Sequence, residues 1–119
     1  MNNPDYLKAI NENDGVFRNT SLSTGTVTFR DREDLLLQII EYSYGINVLG
    51  EDILEVDSGL DKDSYDSGEG FIVFDLGDKT LKLDYRYSSW DDPSPTDLYY
   101  VEKVVKEVVT THTYYSRVN

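Results

Sequence analysis

The clearest pattern in the chain is the alternation of apolar and polar positions in FIVFDLGDKTLKLDYRY, Phe71 to Tyr87. Gly77-Asp78 sits at its centre as a two-residue turn with glycine first, a strong hairpin signal. A turn there sets Phe74 opposite Leu81 and Ile72 opposite Leu83. Those four then share one face, while Val73 meets Lys82 and Phe71 meets Asp84 on the other. Turn and alternation demand the same register, as expected of a segment that folds consistently. Leu83, Tyr85 and Tyr87 continue the apolar face.

A different period runs through DREDLLLQIIEYSYG. Leu36, Ile39, Ile40 and Ser43 recur at helical spacing, with Leu37 and Tyr44 at the edge of the stripe. Asp31 is placed to cap this helix, and Glu33 and Asp34 suit the positive end of its dipole. Gly45 is expected to end it in a left-handed conformation. NPDYLKAINENDG predicts a shorter helix, with Asn3 as cap, Pro4 in the first turn, and Leu7 and Ile10 on one face. TGTVTFR, Thr24 to Arg30, alternates Val27 and Phe29 against Thr26 and Thr28 and predicts a strand.

EDILEVDSG predicts another strand, with Leu54 and Val56 inward and Glu51, Glu55, Asp57 and Ile53 outward. An acidic Gly/Ser loop, GLDKDSYDSGEGF, follows it. SSWDDPSPTD, Ser88 to Asp97, predicts a loop with two prolines and Trp90. In LYYVEKVVKEVVTTHTYYSRV, Val101, Val104, Val105 and Val108 have helical spacing, but β-branched and aromatic residues dominate. Two strands, or one long strand broken near Val104-Val105, suit it better, although residues 98–108 stay open between strand and helix. The sum is an α+β fold over residues 1–119 as one domain. It comprises a mostly antiparallel sheet of four to five strands with one main helix packed on one face.

Charge narrows the partners. The 119 residues carry 23 Asp and Glu against 11 Lys and Arg, a net charge of −12. Such a surface repels nucleic acid and anionic membranes, so the expected partner is a basic protein, with no direct nucleic-acid or membrane binding. Cysteine is absent, which removes disulfides and thiolate metal sites and suits a reducing cytoplasm. No signal-like leader and no membrane-length apolar run stands in the sequence.

The acidic loop fails as a calcium loop in both frames. A start at Asp63 puts Gly68 correctly at position 6, but Tyr65 at position 3 and Phe74 at position 12. A start at Asp61 puts Asp66 where glycine is needed. Nor does a catalytic constellation emerge. His112, the single histidine, lies in a β-branched run with no metal partner at histidine spacing and no nearby nucleophile. It reads as a half-buried strand residue. SGEG lacks the helix and Lys-Ser or Lys-Thr of a phosphate loop. No enzyme activity and no cofactor is expected.

What remains is a one-sided surface. Between Glu51 and Gly70 there are eight acids, Glu51, Asp52, Glu55, Asp57, Asp61, Asp63, Asp66 and Glu69, against Lys62 alone. Carboxylates two apart on a strand, as Glu55 and Asp57 are, sit about 6.5–7 Å apart. That approaches phosphate spacing along a nucleic-acid strand, so the segment has the makings of a DNA mimic. Tyr42, Tyr44, Tyr65, Tyr85, Tyr87, Tyr99, Tyr100, Tyr114 and Tyr115 are too many for one small core. Those left exposed, with Trp90, supply interface anchors. The expected contact residues are Asp57, Asp61, Asp63, Tyr65, Asp66, Glu69 and Trp90.

GDKTLKLDYRYSSWDD and then DLYYVEKVVKEVVTTHTYY, Gly77 to Tyr115, resemble a pattern in small accessory proteins of tailed bacteriophages. There a Lys-bearing hairpin ends in Tyr-x-Ser-Trp/Tyr-Asp and a Val-Glu-Lys-Val strand follows. Asp92 departs from it, standing where glycine often follows the Asp. The resemblance implies a phage or mobile-element source and a host-cell cytoplasmic setting. It also implies a role like that of small acidic phage proteins that block CRISPR effectors, restriction enzymes or recombination nucleases. An immunity protein against a toxin nuclease, or a virion assembly component, would carry the same features.

Overall fold

A computed structural model describes residues 4–19, 26–107 and 111–118. Along the chain lie α1 (Tyr6–Glu12), β1 (Val16–Asn19), β2 (Thr26–Val27), α2 (Arg32–Glu41), β3 (Ile46–Val48) and β4 (Glu51–Asp52). They are followed by β5 (Leu54–Lys62), β6 (Ser67–Leu76), β7 (Lys79–Ser88), β8 (Ser94–Glu107) and β9 (Thr111–Arg117). The last five form an up-and-down antiparallel sheet in chain order, and the short strands form a second sheet, β2-β1-β3-β4. The fold is therefore mostly antiparallel sheet with two helices, and the expected single sheet with one main helix is corrected to two sheets and two helices among the described residues.

The β6–β7 hairpin has the register its sequence demands: Phe74 pairs Leu81, Ile72 pairs Leu83, Val73 pairs Lys82 and Phe71 pairs Asp84. Gly77 has φ +58, and Asp78 is not among the positive-φ residues, as a turn with glycine first requires. A Cβ on Gly77 would stand 2.7 Å from the Tyr6 hydroxyl, so this position needs glycine for space as well as for conformation. Ile72, Phe74, Leu76, Leu81, Leu83 and Leu98 turn one face of the sheet into the core. The second sheet and both helices cover it with Tyr6, Ile10, Leu35, Leu36, Ile39, Ile46 and Val48. Each such aliphatic or aromatic side chain stabilises the fold by about 1.5–3 kcal/mol on full burial.

The helices are capped locally. Asp31 accepts from the Asp34 amide at 2.8 Å, as expected. Leu35, Leu36 and Ile39 are the buried positions of α2, while Ile40 and Leu37 are half-buried. In α1 the cap is Asp5, which accepts from the Lys8 amide, and the expected cap Asn3 lies outside the described residues. Gly45 has φ +81 but is not the stop of α2, which ends at Glu41. The carbonyls beyond that end are met from β1 instead. The Arg18 guanidinium donates to the main-chain oxygens of Tyr42 and Tyr44 and lies 5.0 Å over the Tyr42 ring. Of the strand expected at Thr24–Arg30, the described residues hold β2, with Val27 exposed and Phe29 buried beyond its end; Thr24 and Gly25 lie outside the described residues.

Three further expectations are overturned around β5. Ile53, expected outward, is 5% exposed, whereas Leu54 and Val56, expected inward, are 63% and 46% exposed. The cause is cover. The helices pack against β8, three strands from β5 in the sheet, Leu54 pairs Asp75 on the face away from the core, and the Ile53 amide donates a hydrogen bond to the Ile46 carbonyl. Next, the acidic loop is not a loop but the arms of the β5–β6 hairpin, with only 63–66 as its turn. Finally, the register shifts between Glu55 and Asp57. Glu55 pairs Phe74 and Asp57 pairs Val73, neighbours that face opposite ways. These two carboxylates therefore do not form a phosphate-like row.

Residues 98–107 are strand, and the C-terminal segment is two strands, β8 and β9, unbroken at Val104-Val105. The irregularity falls earlier, where Tyr85 pairs Pro95 but Asp84 pairs Asp97, leaving Thr96 as the extra residue. The expected 88–97 loop is thus shortened, because Ser94–Asp97 belong to β8. His112 lies in β9; its side chain lies outside the described residues.

Candidate functional site: an acidic, aromatic-tipped end of the sheet

In an up-and-down sheet every second turn falls at the same end. The turns 63–66 and 89–93 therefore come together, at the end opposite Gly77-Asp78. Hydrogen bonds tie them. The Ser89 amide donates to the Asp66 carbonyl at 2.9 Å, and the Ser89 hydroxyl donates to the Asp66 carboxylate at 3.1 Å. Asp66 is thus a clamp between turns as well as a charge. The paired turns raise Tyr65, 91% exposed, and Trp90, 80% exposed, on one end of the molecule.

The strands leading to this end are held by glycine–aromatic pairs. Gly59 lies opposite Phe71 and Gly70 opposite Tyr85. A Cβ on Gly70 would stand 2.3 Å from the Tyr85 ring, and one on Gly59 2.7 Å from the Phe71 ring. In both pairs the aromatic ring covers the bare glycine across the strands, a recurrent way to close such gaps. Tyr85 lies on the core face of the sheet and Phe71 on the other, so one such pair stands on each face.

The carboxylates here are not equivalent. Asp63 accepts from the Ser67 hydroxyl at 2.9 Å and from Arg86 at 3.1 Å. The Ser67 hydroxyl first, and Arg86 second, hold its carboxyl below the usual carboxylate range. The same Arg86 reaches Glu69 at 3.5 Å. Asp61, Asp91 and Asp92 have no cation within ion-pair distance among the described residues. Six carboxylates, Asp61, Asp63, Asp66, Glu69, Asp91 and Asp92, face two cations, Lys62 and Arg86, which leaves four uncompensated negative charges. Lys62 is engaged as well, 5.1 Å over the Tyr87 ring.

Of the expected contact residues, the fold brings Asp61, Asp63, Tyr65, Asp66, Glu69 and Trp90 to this end and leaves Asp57 apart. Asp57 lies farther along β5, accepts from the Ser58 amide at 2.9 Å, and faces Tyr115 of β9. β5 and β9 are the two edges of the five-stranded sheet, four strand spacings or about 19 Å apart if the sheet were flat. Direct interaction between their side chains requires the sheet to curl around the face away from the helices.

That concave face brings together residues that the sequence names separately, Phe71, Lys82 and Asp84 on the hairpin and Tyr99 among the tyrosines, but does not join into one set. The Tyr99 hydroxyl donates to Asp84 at 2.8 Å. Burial, followed by Asp84, pushes the Tyr99 phenol up to about 12. Arg117 lies 4.5 Å over the Tyr99 ring and bonds Asp97 at 3.1 Å. Lys82 lies 4.8 Å over Phe71 and 3.6 Å from Asp84. A cavity of about 400 Å³, lined in part by Asp61, Glu69, Phe71, Lys82, Asp84 and Arg86, opens on this face toward the acidic end. Its two cations already have carboxylate partners, so its charges serve one another. The alternation in β7 and β8 was the signal that could have found this set, since Lys82, Asp84 and Tyr99 share a face by register.

Among the described residues, no three Asp, Glu or His side chains converge as metal ligands. No helix of the described residues is long and apolar enough to cross a membrane. No protein-family model matches the chain, and no curated protein or solved structure matches it.

Proposed function

We propose that this protein is a non-catalytic inhibitor that sets the acidic end of its sheet into a basic, nucleic-acid-binding surface of another protein. The partner class that fits the bacteriophage resemblance is a host defence effector, of CRISPR or restriction type. One observation carries the reading: the Ser89–Asp66 clamp, which presents Tyr65 and Trp90 together on an end with excess negative charge. Exposed aromatics anchor interfaces at low entropic cost, and a surrounding field of one sign steers a partner of the other. Nucleic-acid mimicry on this reading is a matter of field, because the bulge at Val56 removes the regular carboxylate spacing.

The test is capture of host proteins on the immobilised full chain, with release by a short DNA duplex. Bound proteins should be nucleic-acid-binding, should elute with duplex, and should bind more weakly as salt rises toward molar, where the Debye length falls to about 3 Å. The double variant Tyr65→Ser/Trp90→Ser should lose most of the capture. Identical capture by wild type and double variant, or proteins that duplex does not displace, would refute the reading.

A further inference from the structure

The outer side of β5 carries main-chain groups that no strand of the described residues pairs. From Asp57 to Lys62 its ladder with β6 is unbroken, Asp57 opposite Val73 through Lys62 opposite Gly68. The direction of each amide can be read at both ends. The Asp63 amide donates to the Ser67 carbonyl across the turn, so Asp63, and by alternation Asp61 and Gly59, turn their main chain toward β6. The Ser58 amide donates to the Asp57 carboxylate of its own strand, so Ser58, Leu60 and Lys62 turn theirs outward. Leu60 is also 44% exposed. Proteins usually blunt such an edge with proline, lysine or a covering element. Here the bulge at Val56 ends the regular edge on one side, the Asp57 carboxylate caps a single amide and faces Tyr115 of β9, and the one lysine of this edge, Lys62, lies over the Tyr87 ring.

We propose that the Asp57–Lys62 edge accepts an extended cationic segment of a partner protein as a sixth strand. Main-chain bonds would run to Leu60 and Lys62, and to Ser58 once Asp57 swings toward a cation. Charge selects the occupant. A second copy of this edge would set Asp57 and Asp61 against like charges, which is unfavourable across strands. A strand alternating lysine with an aliphatic residue sets ammonium groups beside Asp57 and Asp61 and apolar groups beside Leu60. Such addition takes its affinity from the main chain and its specificity from alternate side chains. The inference rests on the basic-partner reading above for the charge of its occupant, but it places strand pairing on β5 and not at the Tyr65/Trp90 end.

The experiment uses the full ¹⁵N-labelled chain and the peptide acetyl-Lys-Val-Lys-Val-Lys-Val-Lys-amide. Saturating peptide should slow amide exchange at Leu60 and Lys62 by about tenfold or more, as new pairing protects them. The peptide N-methylated at its valines should not, and neither should the Glu-Val analogue. Leu60→Pro removes an outward amide at an edge position where proline is tolerated, and it should abolish the protection. Should that variant fail to fold, the N-methylated peptide still decides. Tyr65→Ser/Trp90→Ser should leave the protection intact. Shifts confined to residues 63–66 and 89–93, with unchanged exchange at Leu60 and Lys62, would overturn the edge inference and leave the basic-partner reading standing. No response anywhere on the chain would overturn the inference and count against that reading too. Protection that grows with protein concentration without peptide would assign the edge to a second copy and overturn the cationic occupant.

Discussion

The strands β6 and β7 run through two environments. Toward Gly77 they carry Ile72, Phe74, Leu76, Leu81 and Leu83, all buried against helices and the small sheet. Toward Ser67 and Ser88 the same strands run to the rim of that core, where Tyr85 still packs against it. There they carry Gly68, Gly70, Tyr85 and Tyr87, and they end in turns of carboxylates and exposed rings. At one end strand pairing is secured by apolar burial. At the other it is secured by glycine–aromatic pairs, one shared arginine and a serine–aspartate clamp. The difference shows how a small domain can hold a dense negative surface: it is set on strands whose far ends already anchor the register, so the charged end need not contribute much stability itself.

The largest expected effect breaks the buried end. Phe74→Ala removes a fully buried ring and should cost about 3–5 kcal/mol, read as a fall in the urea midpoint. By contrast, Tyr65→Ser/Trp90→Ser should change stability by no more than about 0.5 kcal/mol, since neither side chain is covered. A large loss from the double variant would mean the two ends are not separable.

An intermediate effect is expected where the two regions meet. Gly70→Ala puts a methyl within 2.3 Å of the Tyr85 ring and should cost about 1–3 kcal/mol, as overpacking does. Tyr85→Ala removes the obstacle, so the double variant should lose less than the sum of the two single variants. A double-mutant cycle measures that coupling, and simple additivity would show that the ring does not seat on the glycine.

The smallest effect concerns the charged end alone. Ser67 and Arg86 depress the Asp63 pKa in the folded protein. Its contribution is therefore fully present above the ordinary carboxylate range and is lost as pH falls through that range toward the folded value. Arg86→Gln should raise the Asp63 midpoint in a carboxylate NMR titration but not restore it fully, because the Ser67 hydroxyl remains. The acid-side loss should shrink accordingly. An unchanged midpoint would show that Arg86 does not hold Asp63 in solution.

The sequence by itself determined the β6–β7 register, the Asp31 cap and the negative field, while it left residues 98–108 open between strand and helix. Each of the three depends on neighbours within a few residues or on a sum over the chain. Alternation, a glycine-first turn and a capping aspartate state their own geometry. Alternation does not say which face will find cover, and so it points Leu54 and Val56 inward although the helices pack over β8 and leave β5 bare. It likewise hides a bulge, which turned Glu55 and Asp57 to opposite faces. Six of the seven expected contact residues do meet at one end, but Asp63 and Glu69 share Arg86 and Asp66 clamps a turn. Those roles were decided only when the paired strands and turns brought Arg86 to Asp63 and Glu69, and Ser89 to Asp66, because a carboxylate's partner is set by distance in space and not by distance along the chain.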